Sequence, residues 1–574
     1  MNIGPNLADK ISTPPNKSHK DYLKNNFSHD FAFKQVDENK VIEIIDSLKS
    51  KNTSGHDLIS TKLLKYVKNE VAYPLKCIIN QCIEQNIFPE LLKIARVIPI
   101  HKKDDDDDVF DNYRPISILP SVSKIFERIM HNQIFEFFTA NELFFTSQYG
   151  FRNSHSTEFA ALEIIDRIIS EMDNNKVPLN IYLDLSKAFD TLDHDILLEK
   201  LSYYGIRGES HDLIKSYLTN RKQYVDYCDT TSEYLGIKCG VPQGSILGPL
   251  FFIIYVNDIS CASDIFYPII YADDTTLSAT LNNFGREHEI ENNINYELSK
   301  ISVWLKLNKL SLNINKTKAM AFHTVQRKIT LPTLNIENTN IEFVDHFNFL
   351  GVVIDKNLKW KNHINITAKK ISKAVGIMTR LKKFLPSNIL VMLYNSLFLP
   401  YINYGSLIWG WQCNKLIKLQ KKAIRTIAKA RYNSHTTPLF KQFKILKIRD
   451  LCAQHDFKFC YKLKNYQIPQ YFLSNLFLHK NHTHQYNTRQ SNDLRLPAVR
   501  HDFARNAMSY RYPNIYNTMD QTVKEKIFTH SLNGFKTYIK HKFLESYDVI
   551  CNIQNCYSCN VPNPTVNQIK PNLK

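Results

Sequence analysis

Ile265-Phe266-Tyr267-Pro268-Ile269-Ile270-Tyr271-Ala272-Asp273-Asp274 carries an apolar, β-branched run directly into two adjacent carboxylates. Side chains alternate faces along a strand, so neighbouring acids converge on one cation only where the strand ends in a tight turn. Held that closely they repel. A divalent ion such as Mg²⁺ prefers hard oxygen ligands and relieves that repulsion. The stretch therefore reads as a strand and turn bearing half of a metal site. Most Asp-Asp pairs in polar loops are only solvated, so a further carboxylate is needed.

A candidate lies 89 residues upstream, where Asn180-Ile181-Tyr182-Leu183-Asp184 is a second short apolar strand closed by an acid. The chain then turns polar through Leu185 to His194, a stretch that reads as helical with Phe189 on its first turn. Two such strand ends side by side in one sheet give the carboxylate set of a two-metal centre. Paired ions there steady the attacking and leaving oxygens of an in-line phosphoryl displacement.

Further phrases follow in a fixed order. They are ARVIPIHKK (95–103), NYRPISILPSVSKIFERIM (112–130), SQYGFR (147–152), LDLSKAFDTLDHDILLEKL (183–201), GVPQGSILGPLFF (240–252), YADD (271–274), LNINKTKAMAF (312–322) and FLGVVIDKNLKW (349–360). In this order they resemble the reverse transcriptases of non-LTR retrotransposons, most of all the jockey group. The resemblance covers nearly all of residues 37–460, with looser similarity to about residue 548.

The resemblance implies an RNA-directed DNA polymerase that adds dNTPs to a primer 3′-hydroxyl on an RNA template, with Mg²⁺ as cofactor and Mn²⁺ as the alternative. Its partners are an RNA template, a DNA primer or nicked target DNA, and dNTPs. Asp184 and Asp273 match the main metal ligands and Asp274 the third carboxylate. Phe189 matches the aromatic gate that presses on the sugar 2′ carbon and excludes a 2′-hydroxyl; a packed core Phe reads the same way, and the two are compatible. Gln243, with Gly244 beside it, matches the contact to the incoming dNTP. Lys102 and Arg114 match the phosphate clamp, with Lys103 as a substitute for Lys102. Lys316 matches the lysine that protonates departing pyrophosphate, a general-acid role. Arg152 matches a contact to template or to a carboxylate of the fingers.

The residues themselves suit these tasks. In Gly240-Val241-Pro242-Gln243-Gly244-Ser245, glycine allows close backbone approach, proline fixes the turn, and glutamine offers an uncharged donor and acceptor. Arg114 is able to grip phosphate bidentately. The run Asp104 to Asp108 departs from the family pattern and reads as a solvated loop tip, since like charges in a block repel.

The fold implied is α+β: a right-hand polymerase with an antiparallel-sheet palm, mostly helical fingers and thumb, and a basic C-terminal region. The expected division is an N-terminal tether (1–36), a helical N-terminal extension (37–94), fingers and palm (95–360), thumb (361–450), basic C-terminal region (451–560) and a disordered tail (561–574). Helical periodicity begins near Val41, Ile44 and Ile45.

Composition agrees with this reading without specifying it. The chain has 574 residues, 43% of them hydrophobic, enough for several packed units. Its net charge of +18 is uneven: residues 361–574 hold 34 Lys+Arg against 8 Asp+Glu, whereas residues 1–360 hold 39 against 47. A basic half of that kind grips backbone phosphates by releasing counterions. Lys418 to Ile427 places apolar residues at 419, 423, 424 and 427 with basic residues opposite, a helical stripe.

Eleven cysteines without regular pairing and the absence of a charged-then-apolar leader point to an intracellular protein, nuclear and cytoplasmic, and not a secreted one. Phe384 to Asn414 lacks charge, but Asn388, Asn395, Pro400, Asn403, Gly405 and Gly410 interrupt it, so it reads as buried helices and not as a membrane span. Cys551, Cys556 and Cys559, with His541, do not match a usual zinc spacing. Related elements encode an endonuclease before the polymerase; the expectation is that this chain holds none and that no RNase H domain follows. The alternative to an active polymerase is a co-opted or inactive retroelement product that binds RNA without turnover.

Overall fold

The structure is a computed structural model and describes residues 17–24, 27–102, 109, 112–476 and 493–548. Lys103, Asp104 to Asp108, the three late cysteines and the tail expected over 561–574 lie outside the described residues.

The architecture is mixed α+β. Along the chain run β1 (Ile94–His101), β2 (Tyr113–Ile118), β3 (Pro178–Leu183), β4 (Lys222–Tyr227), β5 (Thr230–Thr231), β6 (Leu235–Gly236), β7 (Tyr267–Tyr271), β8 (Asp274–Thr280) and β9 (Lys318–Ala321). A central five-stranded sheet takes the order Glu342–Phe343, β9, β3, β8, β7. Its pairs are antiparallel except for the outer strand Glu342–Phe343, which runs parallel to β9. The expected antiparallel sheet is thus found, with one parallel edge.

Strand alternation divides the core in two. From β3, Leu179, Ile181 and Leu183 enter one core with the helices Ser121–Ala140, His194–Tyr203 and Leu247–Tyr255. Tyr182, with Ile269 of β7 and Met320 of β9, enters the other, which the helix Thr157–Asp173 shares with the helices after residue 361. All six residues of β3 are buried, as a strand covered on both faces requires.

Within the stretch expected to hold fingers and palm lies a second sheet. β1 and β2 form an antiparallel pair in which Ile100 faces Arg114, and β4 adds parallel to β1. β5 and β6 complete that second sheet. β4 comes from far along the chain, so local periodicity does not predict the pairing. The tether expected over 1–36 is likewise anchored at its end: Phe27 packs on Tyr203 and Tyr204, and Phe31 on Phe137. Aromatic burial fixes a stretch whose polar composition suggests freedom.

Beyond residue 360 the chain is helical, beginning with Lys361–Leu381, Ser387–Leu397 and Asn414–Ile427. Leu390, Tyr394, Phe398, Ile402, Ile408 and Trp409 are buried as expected, although Phe384 is exposed. Among the described residues no helix is long and apolar enough to cross a membrane. The last helices dock on Thr157–Asp173 through its carboxylates. Asp166 accepts the backbone N–H of Met508 at 2.6 Å, and Asp173 accepts those of Arg500 and His501 at 3.0 and 2.8 Å. Each carboxylate meets amides at a helix start that its own turn leaves unpaired.

Candidate active site

Register brings the three acids together. Leu183 pairs with Thr275 across β3 and β8, so Asp184, one residue beyond, stands beside Asp274. Tyr271 pairs with Asp274 across β7 and β8, leaving Ala272 and Asp273 as a two-residue turn. Ala272 adopts a φ of 56°, a left-handed conformation uncommon for a residue with a Cβ. The tight turn inferred from the adjacent acids is therefore present, with Asp274 as the first residue of the returning strand.

Charge follows geometry. Burial, then the charges of Asp273 and Asp184, push the Asp274 carboxyl up to about 6, even though its side chain reaches solvent. Burial and Asp273 also raise Asp184, while Lys316 pulls it back. Lys316 is delivered by a second crossing: Leu185 bridges Leu312, the Asn313 N–H donates to the Asp184 carbonyl at 2.8 Å, and the Lys316 N–H donates to the Asn313 carbonyl at 3.2 Å. Among the described residues no three potential ligands stand in ready metal-holding geometry. The donor set nevertheless fits a hard divalent ion: three carboxylates meet at one strand end and repel one another, as Asp274 is raised by Asp273 and Asp184.

Phe189 lies on a run of turns after β3, not on a helix; the helix begins at His194. Its half-buried ring packs 4.7 Å from Phe252 and 6.3 Å from Phe151. The Val241 N–H donates to the Phe189 carbonyl at 2.9 Å, so the glutamine loop is built onto this residue. Gln243 then donates from Nε2 to both carboxylate oxygens of Asp190, each at 2.9 Å. Its neighbour Gly244 takes a φ of 135°, and a Cβ there would stand 2.4 Å from the Ser117 carbonyl oxygen. Only glycine passes so close to β2.

Asp190 is the functional candidate that sequence reasoning passed over. Its signal was present as a second acid within LDLSKAFD, but nothing in the sequence pairs it with a glutamine 53 residues away. Burial raises its carboxyl, and the Gln243 hydrogen bond opposes that shift.

Lys102 and Arg114 stand on the second sheet. Arg114 is exposed on β2, and the Lys102 N–H donates to the Asn112 carbonyl at 2.7 Å. Ile100 pairs with Arg114, and Lys102 follows the end of β1 one residue after His101 pairs with Tyr113, so the two cations stand at the same end of this sheet. This sheet reaches the carboxylate end through the Ser117 N–H, which donates to the Gln243 carbonyl at 2.8 Å. The Arg152 guanidinium donates to the carbonyls of Phe145 and Gln148 at 2.9 and 3.3 Å and lies over Phe144, so it braces its own loop and, among the described residues, meets no carboxylate.

A positive surface completes the region. Residues 356–449 contain 20 Lys+Arg and no Asp or Glu. The helix Asn414–Ile427 buries Leu416, Ala423, Ile424 and Ile427 and leaves its lysines outward, matching the stripe read from the sequence.

Comparison with known proteins agrees with this geometry. The family model described as reverse transcriptase (RNA-dependent DNA polymerase) matches residues 100–354. The probable RNA-directed DNA polymerase from transposon X-element of Drosophila melanogaster is 26% identical over 465 residues, covering 78% of this chain and 50% of that protein. The corresponding protein from transposon BS of the same fly is 25% identical, with the same coverage. The RNA-directed DNA polymerase from mobile element jockey is 26% identical over 446 residues, covering 75% and 48%. The chain spans about half the length of the curated relatives it matches. Residues 100–354 thus match the reverse transcriptase model, and the resemblance to non-LTR retrotransposon polymerases holds.

Proposed function

We propose that this chain, built around a reverse transcriptase domain, is an RNA-directed DNA polymerase of a jockey-like non-LTR retrotransposon. It extends a DNA primer, or the 3′-hydroxyl of nicked target DNA, on an RNA template. The observation that carries the reading is the arrival of Asp184, Asp273 and Asp274 at one end of one sheet, from segments 89 residues apart, beside Lys316.

In this reading the central sheet and its helices are the palm, the β1, β2 and β4 sheet belongs to the fingers, and residues 361–450 form the thumb. Asp184 and Asp273 hold Mg²⁺, or Mn²⁺, with Asp274 as the outer acid. The bound ions supply charge stabilisation to the attacking and leaving oxygens. Lys102 and Arg114 bind the triphosphate. Gln243, oriented by Asp190 and spaced by Gly244, faces the incoming nucleotide. Phe189 closes the space a 2′-hydroxyl would need, and Lys316 delivers a proton to pyrophosphate. The carboxylate-free stretch 356–449 and its helices bind the template and primer backbones.

Primer extension on poly(rA)/oligo(dT) with Mg²⁺ and dTTP tests the proposal. Incorporation by the purified chain, absent in an Asp273→Ala control, is the expected result. No incorporation above that control, with poly(rA) binding retained, would leave a retroelement product that binds RNA without turnover.

A further inference from the structure

Beneath the Ala272-Asp273 turn lies a carboxylate to which the chemistry gives no task. Glu163, midway along the helix Thr157–Asp173, is 0% exposed. Its oxygens accept from Ser147 Oγ at 2.9 and 3.0 Å, from the Tyr149 hydroxyl, and from Arg167 Nε at 2.8 Å. The Arg167 guanidinium lies 3.9 Å from the centre of the Tyr267 ring, and the Tyr267 hydroxyl is 2.6 Å from Ser147 Oγ. The network closes on itself, joining the helix, β7 and the segment before Gly150. A buried carboxylate is costly unless its lone pairs are met; here they are, and each partner is held in one arrangement.

What the network grips is the chain that backs the turn. The Ile270 N–H donates to the Ser147 carbonyl at 3.0 Å, and the Tyr149 N–H donates to the Ile270 carbonyl at 2.7 Å. Residues 147–149 thus extend the sheet beyond β7, with Gln148 bridging Ile270 in parallel. Gly150 then presses on the turn itself: a Cβ there would stand 2.3 Å from the Ala272 nitrogen. A residue with positive φ, such as Ala272 at 56°, persists where its surroundings hold it.

We infer that Glu163, acting through Ser147, Tyr149 and Gly150, is a positioning residue that holds the Ala272-Asp273 turn in its cation-binding conformation. The inference rests on the polymerase reading for the identity of the cation site, not for the support itself. Glu163 touches no substrate. Its effect is on where the Asp273 carboxylate stands, and a displacement near 1 Å at a reacting centre costs about 10²-fold in rate.

Two variants test this from opposite ends. Glu163→Gln keeps the shape and removes the charge that Arg167 meets. Gly150→Ala leaves the Glu163 network whole and crowds Ala272 directly. Each full-length protein, with template and a primer lacking its 3′-hydroxyl and with no dNTP, is titrated with Mn²⁺ by electron paramagnetic resonance, next to thermal melting. Mn²⁺ affinity is expected to fall about tenfold in both, as for a misplaced ligand, with Gly150→Ala also melting lower because its Cβ meets the Ala272 backbone. Ser147→Ala and Tyr149→Phe should fall between. Unchanged Mn²⁺ affinity in Glu163→Gln overturns the inference, and unchanged affinity in both Ser147→Ala and Tyr149→Phe, which cut its links to the turn, does so if Glu163→Gln does not fold. Because Mn²⁺ binding is read without turnover, failure of the polymerase reading would show in primer extension alone.

Discussion

Two groups of carboxylates serve the same hairpin under opposite conditions. Glu163 is wholly buried, and its oxygens meet two hydroxyls and a guanidinium. Asp184, Asp273 and Asp274 lie nearer solvent, crowd one another, and leave Asp274 pushed up to about 6. The buried acid is the satisfied one and the exposed acids are the frustrated ones. Acids meant to hold structure are given partners within the chain, whereas acids meant to hold a ligand are left without enough of them.

The largest expected effect breaks this comparison most directly. Asp273→Ala should abolish incorporation, by about 10³-fold or more for a group that organises a two-metal site, while leaving thermal stability unchanged or raised. Glu163→Ala should do the reverse, costing about 1–3 kcal/mol because the buried Ser147 and Tyr149 hydroxyls lose their acceptor. Melting and primer extension measured on both variants decide it, and a marked loss of stability in Asp273→Ala would erase the distinction.

Phe189→Ala comes next. Removing the ring between Phe252 and the nucleotide space should raise ribonucleotide incorporation relative to dNTP by roughly tenfold or more, the scale on which pockets discriminate by steric fit. Competition between UTP and dTTP measures it, and unchanged sugar selectivity would reduce Phe189 to a packing residue.

The third prediction concerns pH. The Asp274 carboxyl is raised from 3.8 to about 6, so between those values the folded chain binds more protons than the unfolded one. Stability contributed at this site is therefore present at low pH and is lost as pH rises through about 6. Metal affinity should move the other way, because the proton must leave for the carboxylate to bind. Mn²⁺ titrations at pH 5 and pH 7, about one unit either side of that value, should show tighter binding at the higher pH, and Asp274→Asn should flatten the difference.

The smallest effect is in the basic helices. Replacing Lys421 and Lys422 by Gln should weaken template–primer binding without changing sugar selectivity, and reduce the slope of log affinity against log salt by about 1.8. An unchanged slope would remove these lysines from the nucleic-acid surface.

Legibility differed from residue to residue. The strand-then-acid patterns ending at Asp184 and Asp274 were readable because periodicity and motif are both local, and their register followed once β3 and β8 were adjacent. The stripe of Asn414–Ile427 was readable for the same reason. The helical turn expected at Phe189 was misread, since the polar stretch after Asp184 folds as successive turns before its helix starts. Glu163 carried a faint signal, a charge within Phe159-Ala160-Ala161-Leu162-Glu163-Ile164-Ile165, which is apolar on every side. The carbonyl contacts of Arg152 were not readable, because an arginine in sequence looks equally suited to phosphate, carboxylate or carbonyl.

The sequence by itself determined which residues are candidates for the chemistry, the α+β class, and the separation of an acid-bearing half from a basic half, because residue type and spacing are written locally. Only the tertiary structure decided that Asp190 orients Gln243, that β4 joins β1, and that Gly150 leans on Ala272 above a buried Glu163. Those contacts join segments far apart in the chain, and it is packing and hydrogen-bond satisfaction in the folded interior, not local pattern, that selects them.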